Sequence, residues 1–393
     1  MPQPLLHKDV QTSVQQLRTC LRTLVVGAGS DPRQPQDVHR KFGLDRVLTW
    51  KVSRMVKAEQ AEEALRQLPG EESFEIFLAA FERAGASAEE IARTREAVRA
   101  VFRSVEAHVG DRPTLELVLD SVPKGRDGLM VSRKLAFRGN SGLWGVQART
   151  RSQLLVLAPN ADDPDLIDSV TVAGWIDFRR LRPDAAWRVF HRRSTAAASN
   201  LGIAPVDPTQ EPGGAMLIPE FCVNAPALHT CREGDYTHYE IGPSATGAAG
   251  AFTLFSGFLQ RAHGTRWADA HDDIAEFGAH VLAPVEHLTF DVLLHRSLPL
   301  LDGLTLEMSS AAFNDGTHRT PYRRMPIQAV RQDLGSPPAM ASAQAPRLQE
   351  LADAVFRRAG WDAADFHGVR FEVAYPPFPS VAVARMPLQA RTA

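Results

Sequence analysis

The apolar residues of this chain change their spacing once, near Pro123-Lys124-Gly125, and that change limits the folds open to it. Before it, apolar positions recur at steps of three and four: Leu6, Val10, Val14, Leu17, Leu21 and Leu24, then Phe74, Phe77 and Phe81, then Ile91, Val98, Phe102 and Val105. Such steps put side chains on one face of an α-helix. Gly27-Ala28-Gly29, Pro69-Gly70, Gly85 and Gly110 punctuate these runs, so residues 5–122 read as about six helices of one all-α domain. After it come short alternating or continuously apolar runs: Leu129–Phe137, Leu143–Ala148, Leu154–Ala158, Val170–Trp175, Met216–Cys222, His287–Leu294, Leu304–Met308, Val369–Tyr375 and Val381–Met386. These predict strands. Helices are expected at about 267–283 and 345–359. The strands do not alternate regularly with helices, so they are expected to be antiparallel. The expected fold is α+β and multidomain: an all-α domain over residues 1–125, then a larger β-rich domain over 126–393, with a division near 196–214, where Ala, Pro and Gly accumulate. A second loop is expected over Leu334–Pro346, and no internal repeat is visible.

A chain of 393 residues is long enough for two or three domains at roughly 150 residues each. With 44% hydrophobic and 23% charged residues it is neither a disordered tail, nor a collagen-like fibre, nor a disulfide mini-protein. A net charge of −2 excludes a uniformly basic nucleic-acid coat and leaves room for local basic patches. Three cysteines (Cys20, Cys222, Cys231) cannot make a disulfide framework, which points to a reducing cytoplasm. No signal peptide is expected from the start Met1-Pro2-Gln3-Pro4, and no run of 18 apolar residues suggests a membrane span. Only six of the 44 basic residues are Lys, a bias that reads as base composition, so arguments from Arg alone carry little weight.

The most informative segment is Gln34–Val56. Pro35 suits the first turn of a helix, where its missing N–H is no loss. Gly43 can take the left-handed conformation that ends one helix, and Asp45 can cap the next. Val38, Phe42, Leu44, Leu48 and Val52 would fill the angle between the two. Residues 33–57 hold seven basic side chains against Asp37 and Asp45, net +5, whereas residues 58–120 carry net −7. Three of the six lysines fall in this segment. Phosphate attraction requires such a local concentration of positive charge.

Over about residues 34–57 the chain resembles the helix-turn-helix DNA-binding regulators of bacteria. The resemblance rests on Gly43 in the turn, flanked by Phe42 and Leu44, with Val52 nine residues on. His39 stands where that family usually has a small residue, and Thr49 where it usually has a branched apolar one. The resemblance implies that the second helix enters a major groove. The expected DNA-binding residues are Arg46, Thr49, Trp50, Lys51, Ser53 and Arg54 on that helix, with Arg40 and Lys41 before it.

Four other constellations read as structural. Cys222, His229, Cys231 and His238 are zinc-type ligands, but their C-x6-H-x-C-x6-H spacing matches no compact zinc site, and no metal is expected. Asp272, Glu276 and His280, with Asp269 one turn earlier, would share a face if 267–283 were helical, where a solvated acidic face is the expected reading. Gly242, Gly247 and Gly250 between the strand-like Thr237–Ile241 and the apolar stretch Phe252–Leu259 lack a phosphate-loop ending. Arg179, Arg180, Arg182, Arg188, Arg192 and Arg193 surround Trp187 and Phe190 and are expected to be a solvated surface.

The expectation is therefore a cytoplasmic, sequence-specific DNA-binding transcription regulator. It would be a homo-oligomer, typically a dimer meeting two half-sites on double-stranded DNA, with no membrane contact and no cofactor. Its C-terminal domain would sense a small-molecule effector or mediate self-association. The alternatives are a protein-interaction or structural protein, or an enzyme housed in residues 128–393 on the Asp272/Glu276/His280 face or the Cys/His group.

Overall fold

The structure is a computed structural model; it describes residues 6–120, 129–193, 202–269, 273–298, 303–311 and 323–391. The chain divides into two compact units, Met1–Gly128 and Leu129–Ala393. It is α+β overall, a helical region followed by a strand-rich one.

The first unit contains α1 (Lys8–Gly27), α2 (Pro35–Phe42), α3 (Arg46–Lys57), α4 (Ala61–Arg66), α5 (Glu71–Arg83), α6 (Ala88–His108) and α7 (Arg112–Asp120). The stepwise apolar residues of α1 all point inward: Leu6, Val10, Val14, Leu17, Leu21 and Leu24 are buried. They meet Ile91, Val98, Val101 and Val105 of α6 in one core that also holds Phe74, Phe77 and Phe81 of α5. A fully buried side chain of this kind contributes roughly 1.5–3 kcal/mol. The long helices α1 and α6 pack on each other, and α1 also packs against α3, on which the short helix α2 rests.

The strand-rich unit opens with α8 (Met130–Trp144) and has one further helix among its described residues, α9 (Leu348–Ala359). Its strands are β1 (Val146–Pro159), β2 (Leu166–Arg180), β3 (Trp187–Arg193), β4 (Ile203–Pro205), β5 (Leu228–Glu233), β6 (Tyr236–Ile241), β7 (Phe252–Thr265), β8 (Ile274–Val281), β9 (Val285–His295), β10 (Thr305–Ser310), β11 (Arg324–Gln328), β12 (Val330–Gly335), β13 (Phe366–Ala374) and β14 (Ser380–Pro387). They form a seven-stranded sheet ordered β12-β13-β9-β1-β2-β7-β4, a four-stranded sheet β11-β10-β14-β8 and a three-stranded sheet β3-β6-β5. The large sheet is the centre of the unit. Leu155 and Leu157 of β1 enter one core, with Trp175, Phe290 and residues Ala382, Ala384 and Met386 of β14. Leu154, Val156 and Ala158, pointing the other way, enter a second core beneath Leu351, Val355 and Phe356 of α9. Period-two alternation with both faces covered explains why β1 reads as an unbroken apolar run.

The structure departs from the sequence expectation in four places. Met130–Phe137 lies in α8 with Leu129 as its N-cap, and Leu143-Trp144, expected to open a strand over Leu143–Ala148, end the same helix, so β1 begins at Val146; Val131 and Leu135, one helical turn apart, remain exposed instead of forming the buried stripe that marks a helix. Met216–Cys222 makes an isolated bridge at Leu217 and a 3-10 turn at Pro219–Phe221. The helix expected over 267–283 is instead β8, whose backbone pairs with β14 from Ser380–Val281 to Pro387–Ile274. Tertiary pairing with an apolar strand overrides its weak helical pattern. Finally, β1 runs parallel to β9, within a sheet whose other pairs are antiparallel.

Candidate nucleic-acid interface and a histidine-lined cleft

The turn between α2 and α3 is built as its residues dictate. Gly43 adopts φ 65° and ψ 28°, and its N–H donates to the His39 carbonyl. The Asp45 carboxylate accepts from the N–H groups of Val47 (2.8 Å) and Leu48 (3.0 Å), capping α3. Val38, Phe42, Leu44, Leu48 and Val52 are all buried, and Phe42 stacks on Phe81 with ring centroids 4.0 Å apart, which anchors the hairpin to α5. His39 explains how a large residue serves in this position. Its Nδ1 contacts the Leu44 carbonyl across the turn, while its Nε2 lies 3.4 Å from Arg46 Nε. The tautomer that satisfies both has the proton on Nδ1, donating to Leu44 and leaving Nε2 to accept from Arg46.

The outward face of α3 carries Arg46, Val47, Trp50 and Arg54, all exposed, with Lys51 half-buried. The Arg54 guanidinium lies 4.8 Å over the Trp50 ring. Arg40 and Lys41 are exposed on α2; Lys41 Nζ donates to the Ala28 and Gly29 carbonyls, at 2.7 and 2.9 Å, so its charge closes the C-terminus of α1. A notch of about 390 Å³ opens between the two helices beside His39, Arg40, Arg46 and Trp50. Two expected contact residues do not belong to this face. Thr49 is 2% exposed and its hydroxyl lies 3.1 Å from the Asp45 and Arg46 carbonyls; Ser53 is 3% exposed. With 3.6 residues per turn, both fall on the side that Val52 shares, under the helix.

The other constellations resolve as follows. His229, Cys231 and His238 share one face of the three-stranded sheet, with Cys231 directly opposite His238. Cys222 lies apart: its Sγ is 3.4 Å from both the Ile218 carbonyl and the Phe255 N–H. Burial pushes both the Cys222 and the Cys20 thiols up. The glycine loop leads into β7, a strand, so it has no helix N-terminus to offer a phosphate. Asp272 lies outside the described residues, and Glu276 and His280 sit on β8. Most of the Arg cluster is committed: Arg179 to Asp177, Arg180 to the Ala185 and Gly242 carbonyls, Arg188 to Glu233 and Glu240, and Arg192 to the Pro212 and Gly213 carbonyls.

The sequence reading missed a cleft in the strand-rich unit that gathers His191 of β3, His238 of β6 and His280 of β8. The register of β3 on β6 puts Arg188 opposite Glu240 and His191 opposite His238, with a bulge between Arg188 and Phe190. One extra residue re-aims a strand. Arg188 and His191, three apart, therefore face the cleft together, while Val189 and Phe190 both enter the core. The local signal was only His238 on the strand-like Thr237–Ile241; His191 falls within the Arg cluster that reads as a surface, and His280 in a segment that reads as a helix. Elsewhere, Asp9 Oδ2 lies 3.4 Å from His7 Nδ1 and 3.3 Å from His108 Nε2, and these three exposed groups offer ligand atoms close enough for one metal ion. They join the first turn of α1 to the last of α6.

Among the described residues no helix is long and apolar enough to cross a membrane. No family model matches the chain, and no curated protein matches it. Among solved structures, it is similar to a putative protease from Parabacteroides distasonis ATCC 8503, at 8% identity over 62% of this chain and 40% of that one, with a TM-score of 0.26, a likeness that carries no argument about fold or activity.

Proposed function

We propose that the helical unit binds double-stranded DNA through the outward face of α3, and that the chain is a sequence-specific transcription regulator whose strand-rich unit senses a ligand or joins two copies. The observation that carries this reading is the exposed row Arg46, Trp50 and Arg54, flanked by Lys51, on a helix whose opposite face is locked into the core. The Gly43 turn and the Asp45 cap fix that helix in a hairpin with α2, which supports a helix-turn-helix reading. Arg and Lys reach guanine edges or phosphates, and an exposed apolar side chain such as Val47 meets the thymine methyl. Arg40, Lys41 and Lys57 add phosphate attraction around the helix.

The test is enrichment of specific sequences from genomic DNA, followed by affinity against salt for Arg46→Ala/Lys51→Ala/Arg54→Ala. The wild-type chain is expected to enrich defined sites. The triple variant should keep its helical content and lose affinity, with a shallower salt dependence of about 0.9 per phosphate contact removed. No enrichment at low salt, or unchanged affinity in the variant, refutes the reading. Exposed Val47 and Trp50 would then favour a protein-docking face, the second reading.

A further inference from the structure

The histidine-lined cleft has a volume of about 780 Å³, enough for a small organic molecule. One wall is aromatic. Trp187 and Phe378 stand 6.1 Å apart between ring centroids, and Trp144 backs them at 5.7 and 6.2 Å. The indole N–H of Trp187 donates to the Leu282 carbonyl at 2.9 Å, which fixes the ring. The floor is imidazole: His191 lies 5.0 Å from His280 and 6.2 Å from His238, centroid to centroid.

The charge beneath this floor decides what it can take. Arg151 of β1 is 6% exposed, and its guanidinium donates to the His280 carbonyl (3.1 Å), the Gln153 side-chain oxygen (3.0 Å) and the Ser152 carbonyl. Its face covers Trp175 at 5.3 Å. Among the described residues it has no carboxylate partner. Buried cations are normally paired, because desolvation is otherwise uncompensated. Arg151 is thus a fixed positive charge behind the imidazoles with only neutral dipoles around it. Burial, His238 and Arg151 together push the His191 imidazole below its ordinary value, so it meets a ligand as a neutral N–H donor. The carboxylates of Glu240, in the lining, and of Glu233 beside it are both turned onto Arg188, and Glu233 Oε2 also lies 3.8 Å from His238 Nε2. A metal cation would be repelled by Arg151, whereas an anion would find pre-oriented donors and an attractive charge already desolvated.

We propose that this cleft binds a small planar organic anion, its acid group on the imidazoles of His191, His238 and His280 and its ring against Trp187 and Phe378. The site lies wholly within the strand-rich unit and does not depend on the DNA reading.

Calorimetric titration of the full chain, without DNA, with 2-naphthoate and with the uncharged 2-naphthalenemethanol tests it. Naphthoate is expected to bind once per chain, with the alcohol at least about tenfold weaker, as loss of charge-assisted hydrogen bonds dictates. His238→Gln and Trp187→Leu should each weaken naphthoate by roughly tenfold or more. Arg151→Met, which replaces a buried cation by an apolar side chain of similar length and so need not unfold the chain, should abolish the preference for the anion. Equal binding of acid and alcohol would overturn the proposal, as would no binding of naphthoate, or Zn2+ binding lost in His238→Gln. Because DNA is absent, failure of the DNA reading leaves each of these outcomes unchanged.

Discussion

Replacing Arg370 by Met should destabilise the strand-rich unit by an amount that grows with pH. Arg370 on β13 stands opposite Asp291 on β9, with Nε 2.6 Å from Oδ1, and the two side chains are 2% and 0% exposed. The guanidinium also donates to the Ala341 and Met340 carbonyls, at 2.7 and 3.1 Å, and so ties the Leu334–Pro346 loop to the sheet. Burial pushes the Asp291 carboxyl up from 3.8 to about 6, against the pull of Arg370. A raised folded-state value means that the carboxyl favours folding below its unfolded value and loses that contribution as pH rises through the folded one. In the wild type this loss ends near pH 6. Without Arg370 the folded value rises further, and the loss continues at about 1.36 kcal/mol per pH unit. Between about pH 6 and 7.5 this adds about 2 kcal/mol to roughly 1–3 kcal/mol for carbonyls left without donors. The sum agrees with the approximately 3–5 kcal/mol expected on breaking a buried ion pair. Five of the six tryptophans (all but Trp50) lie in this unit, so tryptophan fluorescence during urea unfolding reads it selectively. The variant should lose much less at pH 4.5 than at 7.5, and Arg370→Met/Asp291→Leu should recover most of the loss. A single variant within about 0.5 kcal/mol of wild type at pH 7.5, or one with an unchanged pH profile, would refute the reasoning, since 0.5 kcal/mol is the scatter of neutral substitutions.

Three further outcomes follow from the same geometry. A Cβ on Gly43 would meet nothing within 4 Å, so Gly43→Ala should cost only the left-handed strain, about 1 kcal/mol, and Gly43→Asn less, read from helical circular dichroism on heating. A Cβ on Gly174 would lie 2.3 Å from the Phe255 ring, so Gly174→Ala should lose roughly 1–3 kcal/mol in the fluorescence-monitored unfolding of the strand-rich unit. Burial lowers His263 below 6.5, so its contribution is present above that value and lost as pH falls; His263→Gln should therefore lose less stability than wild type between pH 7.5 and 5.

Much of the helical unit was legible because its periodicity is closed by local chemistry. Gly43 and Asp45 could be read as a stop and a start, and the five residues Val38, Phe42, Leu44, Leu48 and Val52 fill the angle between them. Which polar residues of α3 face outward was less legible. Thr49 and Ser53 suit solvent by type, and only the helix phase puts them inside. In the strand-rich unit local pattern was a poorer guide. Leu129, Val131, Leu135 and Phe137 fall on alternate positions like a strand, yet Val131 and Leu135 sit exposed on α8, and Glu276 and His280 are spaced like a helix but lie on β8. The conformation of β8 is decided by its pairing with β14, distant in sequence. The cleft was invisible for the same reason: the register of β3 on β6 sets His191 opposite His238, and His280 is brought to them by β8 of another sheet.

The parallel pairing of β1 with β9 also orders events during synthesis. Ala148 pairs with Val285, about 137 residues further on, while β2 can zip onto β1 as soon as the hairpin emerges. The helical unit is complete before either strand exists. A growing chain therefore carries a finished helical unit and a β1 whose second edge stays unpaired through the translation of β2 to β8. Leu154 to Leu157 occupy that open edge, and an unpaired apolar edge adds strands from neighbouring chains. Non-local pairing of this kind is the slow part of folding, so the waiting time, and with it the exposure to aggregation, is set by how fast β9 arrives.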